Sequence, residues 1–149
     1  MSRPNIEYYV DDVMGVVVAK IPNLEEDITE EVCMCIEKSF HSNFAGDRIL
    51  LSSFYDIVKN CVANHRDDLV NIFGKAKCNF EEDKYDIEAG KYIATQRLVK
   101  KVSKYRRNIY EEVSYRIEKI AEALYERALK NSNRAYAAAS NIFNFFDAK

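Results

Sequence analysis

The chain has 149 residues, 48% of them hydrophobic and 31% charged, with only 4 Gly and 2 Pro, a balance that excludes a disordered, collagenous or linker-rich polymer. That length supports one domain with its own core and leaves little for a second. The net charge of −2 arises from 22 Lys plus Arg against 24 Asp plus Glu; it excludes wholesale charge mimicry of nucleic acid and a strongly basic coat alike, so electrostatic recognition must be local.

The near-neutral total conceals a gradient. Residues 1–60 carry 11 acids and 5 bases, residues 61–96 carry 7 and 5, and residues 97–149 carry 6 and 12. Such asymmetry implies either that the two ends attract each other, within the fold or an oligomer, or that the basic end meets an acidic partner.

In chain order, Ile6 to Ile21 is valine-rich, and that β-branched density with a tight turn at Asp11-Asp12 favours a hairpin. A helix placing Tyr8, Asp11, Asp12 and Gly15 on one face also fits, and Pro22 ends the element either way. Asp27-Ile28-Thr29-Glu30 has the form of a capping box, predicting a helix from about Ile28 to Phe40 with Ile28, Val32, Cys35 and Ile36 inside. Ser53-Phe54-Tyr55-Asp56 repeats the signal, and Phe54, Ile57, Val58, Cys61 and Val62 recur at helical spacing to about Asn64. From Leu69 to Cys78 the period changes to two, with Val70, Ile72, Gly74, Ala76 and Cys78 on one side, which predicts a half-buried strand.

An acidic loop from Asn79 to Tyr85 then leads to Asp86, a good N-cap, and no Pro and only Gly90 interrupt the chain before Asn131. A helix of about 45 residues there would be roughly 68 Å long, too long to bury in its own small domain. Its apolar stripe runs through Ala94, Leu98, Val102, Tyr105, Ile109, Val113, Ile117, Ile120, Leu124 and Ala128. The mean step of about 3.8 residues exceeds the 3.5 of a left-handed coiled coil, favouring a bundle or an antiparallel pair over a leucine zipper. A break near Ser103 to Asn108 would instead give two helices. Asn131-Ser132-Asn133 reads as a turn, and a last short helix carries Ile142, Phe143, Phe145 and Phe146, a tail expected to dock on its own core or on another chain. The expected architecture is α+β and predominantly helical: a small α/β head over 1–96 and a helical extension over 97–149 that packs on the head or on a second subunit.

Two surfaces are candidates for function. Arg97, Lys100, Lys101, Lys104 and Arg107 fall within an arc of about 120° on the helix, opposite Leu98, Val102 and Ile109. The face could follow a phosphate backbone or grip an acidic protein, with Tyr105 beside it to stack or to pack; the plainer reading is a solvated face in which Arg107 pairs with Glu111. The second surface is apolar: Ile109, Val113, Ile117, Ile120, Leu124, Ile142, Phe143, Phe145 and Phe146.

Chemistry has weaker support. Cys33, Cys35, Cys61 and Cys78 lack C-x-x-C spacing and read as small hydrophobes on apolar stripes, with free thiols in a reducing cytosol. No metal or cofactor is expected. A Cys–His pair with His41 or His65 has nothing in sequence to assemble it, and no P-loop, G-x-G-x-x-G, G-x-S-x-G or H-E-x-x-H motif is present. No targeting signal or membrane-length apolar run appears, so a cytoplasmic protein with no membrane role is expected.

Gly74-Lys75-Ala76-Lys77-Cys78, the acidic run to Asp83, Asp86, Gly90, Ile93-Ala94 and Arg97 resemble a segment of small proteins encoded by bacteriophages of low-GC bacteria. The resemblance covers residues 74–97 and stops before the long extension. It implies a non-enzymatic protein in the host cell cytosol, similar in character to anti-defence factors such as anti-CRISPR inhibitors, which work by occupying a surface. The expected function is therefore binding to a host or defence protein, or to a nucleoprotein complex. A homo-oligomer is compatible with it, and the alternative is a nucleic-acid binder using residues 97–107.

Overall fold

The computed structural model describes residues 4–43 and 48–147, and side chains over 4–38 and 52–137. The order of elements is β1 (Glu7–Asp11), β2 (Val16–Lys20), α1 (Leu24–Asn43), α2 (Arg48–Asn64), α3 (Arg66–Val70), β3 (Gly74–Lys77) and α4 (Ile87–Asp147). The fold is α+β and mostly helical. Internal contacts divide it into two compact units, Met1–Val113 and Ser114–Lys149.

In the first unit the strands form an antiparallel sheet of order β1-β2-β3. The valine-rich hairpin forms, with Tyr9 opposite Val18 and Asp11 opposite Val16. Its turn is wider than Asp11-Asp12: Gly15, at φ 60°, completes it, and Asp11 Oδ1 accepts the Met14 amide at 3.0 Å. The Phe80 ring lies where a Gly15 Cβ would stand. Val17, Ala19, Gly74 and Ala76 are buried on one sheet face, while Val16, Val18 and Lys20 are only half-buried on the other.

Helix α1 begins one turn earlier than its apparent capping box. Asn23, at φ 57°, offers its carbonyl to the Asp27 amide at 3.1 Å, so Asp27 joins Glu25 and Glu26 in the first turn, where negative charge suits the helix dipole. Thr29 does not cap; its hydroxyl bonds back to the Glu25 carbonyl at 2.8 Å. Ser53 likewise lies inside α2, which ends at Asn64 as its spacing predicts. The expected strand over Leu69 to Cys78 is shorter at its start. Leu69 and Val70 belong to α3, whose first turn holds Asp67 and Asp68, and Asn71 ends it with Nδ2 on the Asp67 carbonyl at 2.7 Å. Alternation then holds from Ile72 to Lys77, with Ile72, Gly74 and Ala76 buried between exposed neighbours.

Asp86 caps α4 through Oδ1, which accepts the Glu88 amide at 3.0 Å, and its carbonyl accepts the Gly90 amide at 3.0 Å. No break occurs at Ser103 to Asn108, and Asn131-Ser132-Asn133 is helical instead of a turn. Each of those three residues costs only about 0.5 kcal/mol in a helix relative to Ala, and no Gly or Pro stands near them. The first unit takes α4 as far as Val113, beyond the boundary expected at residue 96, because Leu98, Val102, Ile109 and Val113 are buried in its core with Ile28, Val32, Val58, Cys61 and Val62.

The helix crosses the sheet on its smallest residues. A Cβ on Gly74 would collide with the Ala94 carbonyl oxygen and come within 2.7 Å of the Leu98 amide nitrogen, and one on Gly90 would stand 2.8 Å from a Val17 methyl. Backbone cannot yield at Gly74, whereas the Val17 side chain can shift. Gly74→Ala should therefore cost about 3 kcal/mol. Gly90→Ala should fall within about 1 kcal/mol of wild type, because the helical preference of Ala offsets the tighter packing. Urea unfolding midpoints separate the two, and equal midpoints would refute the crossing.

Candidate interaction surfaces

The five residues of the basic face do three different things. Register explains two of them. The Cys78 amide donates to the Gly15 carbonyl at 2.8 Å, which points the backbone of Ala76 and Gly74 toward β2 and that of Lys75 and Phe73 outward. Arg97 Nη1 donates to the Lys75 carbonyl at 2.6 Å and Lys101 Nζ to the Phe73 carbonyl at 2.9 Å, so the two side chains occupy two outward carbonyls at the start of β3. Lys101 also lies 5.1 Å from the Phe73 ring centre. Arg107 pairs with Glu111 at 2.9 Å, both exposed, as the four-residue spacing predicts. Lys100 and Lys104 are exposed and pair with no described residue. Tyr105 packs, its ring edge-on to His65 at 6.2 Å.

Arg106, one position from this face, is the cation that the arc omits. Its Nε, buried on a partly exposed side chain, lies 2.9 Å from Glu31 Oε2 on α1, an ion pair without hydrogen-bond alignment. Glu112 meets the α2–α3 junction, with Oε2 3.3 Å from His65 Nε2 and Oε1 accepting Asn64 Nδ2 at 3.2 Å. Within the first unit, the Arg106–Glu31 pair therefore joins the basic helix to the acidic front of the chain, whereas Glu112 is an acid of the helix itself.

The apolar candidates divide at the unit boundary. Ile109 and Val113 are 0% and 3% exposed; they belong to the chain's own core and are not an interface. In the second unit Ile117 and Ile120 are half-buried and Leu124 is 49% exposed. Tyr115, Tyr125, Leu129 and Tyr136 are exposed on the same helix. The side chains of Ile142, Phe143, Phe145 and Phe146 lie outside the described residues.

A cavity of about 300 Å³ opens beside Gly15, Ala76, Cys78, Tyr85, Gly90 and Ile93. Tyr85 in its wall donates its hydroxyl to Asp12 Oδ1 of the hairpin turn at 2.8 Å. Among the described residues no group of three or more His, Cys, Asp or Glu converges as a metal site, and no helix is long and apolar enough to cross a membrane. Cys61 is buried, Cys33 and Cys78 are half-buried, and Cys35 is exposed rather than on an inner stripe, with Sγ 3.4 Å from the Tyr110 hydroxyl. Burial pushes the Cys33 thiol up despite the opposing charge of Lys59, the reverse of an activated nucleophile. Burial and the Cys35 contact likewise raise the Tyr110 hydroxyl well above the ordinary tyrosine range. His65 faces Glu112 and Tyr105 rather than a thiol, and the His41 side chain lies outside the described residues.

No protein-family model, curated protein or solved structure matches the chain.

The division of labour on the basic face is measurable. Arg97→Ala and Lys101→Ala should each cost about 1 kcal/mol by exposing an edge carbonyl. Lys100→Ala, Lys104→Ala and Arg107→Ala should each stay within about 0.5 kcal/mol of wild type. Five equal urea midpoints would contradict the assignment.

Proposed function

We propose that this chain is a non-enzymatic protein that acts by binding another protein through the helix of its second unit. The observation that carries this reading is the exposure of Leu124, Tyr125, Leu129 and Tyr136 along one helix, with half-buried Ile117 and Ile120 beside them. Large apolar side chains gathered on one element mark an interaction surface more often than scattered ones do, and tyrosines supply contact area at low entropic cost. The resemblance of residues 74–97 to bacteriophage proteins makes the partner a host protein or a bacterial defence complex, and the action inhibitory or regulatory in the manner of an anti-CRISPR factor, in the host cytosol. Affinity capture from host lysate, compared between wild type and a Leu124→Glu, Tyr125→Glu double variant, tests it. We expect the captured protein to be lost with the double variant and retained when Lys100 and Lys104 are changed to Glu. Capture indifferent to residues 124 and 125 would contradict the reading.

Nucleic-acid binding is the second reading, favoured by the exposed Lys100 and Lys104, which pair with no described residue. With Arg97 and Lys101 committed to β3, two lysines remain to neutralise phosphates, so log affinity should fall by about 2 for each tenfold rise in salt. Absence of any gel shift at low salt with duplex DNA, single-stranded DNA or RNA removes this alternative.

A further inference from the structure

The two edges of the sheet are treated differently. On β3 the outward carbonyls of Phe73 and Lys75 are occupied by Lys101 and Arg97. On β1 the register directs the backbone of Glu7, Tyr9 and Asp11 toward β2 and that of Tyr8 and Val10 outward. No described residue bonds to the outward amides and carbonyls of Tyr8 and Val10. All five residues of β1 are exposed, Tyr9 by 59%.

An open edge is a template for another strand, and the side chains of β1 restrict which strand. Glu7, Tyr9 and Asp11 point to the sheet face away from α4, with Glu7 Oε2 accepting the Tyr9 hydroxyl at 3.4 Å. A second copy paired antiparallel over the whole strand would set Glu7 directly opposite Asp11 twice, and like charges directly opposite are destabilising. A strand bearing Lys or Arg opposite both carboxylates, with an apolar residue between them opposite Tyr9, meets the reverse condition. Beside the Glu7 end lies a cavity of about 320 Å³ whose lining combines the apolar Tyr9, Leu24 and Leu69 with the acids Glu7 and Glu26 and the single base Lys20.

We infer that β1 is a docking edge for an extended basic segment of a partner protein, which adds as a fourth, antiparallel strand. Tyr8 and Val10 supply the main-chain bonds, and Glu7 and Asp11 select a basic–apolar–basic alternation. This edge is independent of the helical stripe of the second unit, so either can fail without the other.

The probe is a fluorescent heptapeptide, Thr-Lys-Thr-Val-Thr-Lys-Thr, titrated at low salt. We expect saturable binding, at least tenfold weaker for the peptide with Glu in place of Lys. A similar loss is expected when the two inner threonine amides, which face Val10 and Tyr8, are N-methylated, and none when the valine amide is. Val10→Pro removes one outward donor where an edge strand tolerates proline, so it should keep the thermal midpoint and lose binding at least tenfold. The inference is overturned if no peptide saturates, if the acidic peptide binds equally, or if methylation of the inner threonines changes nothing. It is also overturned if the wild-type chain self-associates and Val10→Pro makes it monomeric, since the edge then belongs to a second copy.

Discussion

At Gly74 strand β3 meets the backbone of α4 at Ala94 and Leu98 with no room for a side chain, and this contact fixes where the helix crosses the sheet. Gly90 against Val17 gives the second point of the crossing. With the helix held there, Tyr8 on β1 reaches Thr95, hydroxyl to hydroxyl at 2.7 Å, and Arg97 and Lys101 reach the outer carbonyls of β3. Two outward carbonyls on one edge of the sheet are thereby occupied by the helix that packs on it, while on the other edge no described residue bonds to Tyr8 or Val10 backbone.

The same placement carries the helix over α1 and α2. Leu98, Val102, Ile109 and Val113 enter the core, each contributing about 2 kcal/mol by burial, and Arg106 and Glu112 reach Glu31 and His65. These polar contacts are partly exposed and contribute little energy individually; they orient the helix about an axis that the apolar contacts hold. After Val113 the apolar side chains of α4 lose such cover within their own unit, passing from half-buried Ile117 and Ile120 to exposed Leu124. The helix is thus structural in its first part and, in the reading proposed here, a binding surface in its second.

Much of this was legible in the sequence wherever one physical signal acted alone. Period-two alternation located Gly74 and Ala76, valine density located the hairpin, and Asp86 announced the start of α4. Signals that compete misled. Asp27 and Ser53 look like caps, yet Asp27 sits one turn inside its helix because Asn23 takes the N-terminal position at positive φ. Asn131-Ser132-Asn133 looks like a turn, yet three small propensity costs do not break a helix lacking Gly or Pro.

The sites were less legible than the elements. Spacing placed Arg97 and Lys101 on one arc with Lys100 and Lys104, but helical position alone does not reveal that a strand edge lies within reach of the first pair. For the same reason Ile109 and Val113 share a stripe with Leu124 while packing in the core. Nor does spacing show an open strand edge, since the side-chain pattern of β1 says nothing of which backbone groups face β2. The 74–97 segment is a case where structure supplies the reason for a pattern: Gly74, Gly90 and Ala94 let the helix cross the sheet closely, and Arg97 bonds to a β3 carbonyl beside the crossing.

Hydrogen exchange along α4 tests most directly the claim that the helix changes role at Val113. In the chain at concentrations where it is monomeric, amides from Ala94 to Val113 should exchange as slowly as those of β2 and α2, because they open only with the core. Amides from Ile117 to Tyr136 should exchange at least a hundredfold faster, since a helix without a packed face is marginal in water. Uniform protection from Ala94 to Tyr136 in that monomer would contradict the account.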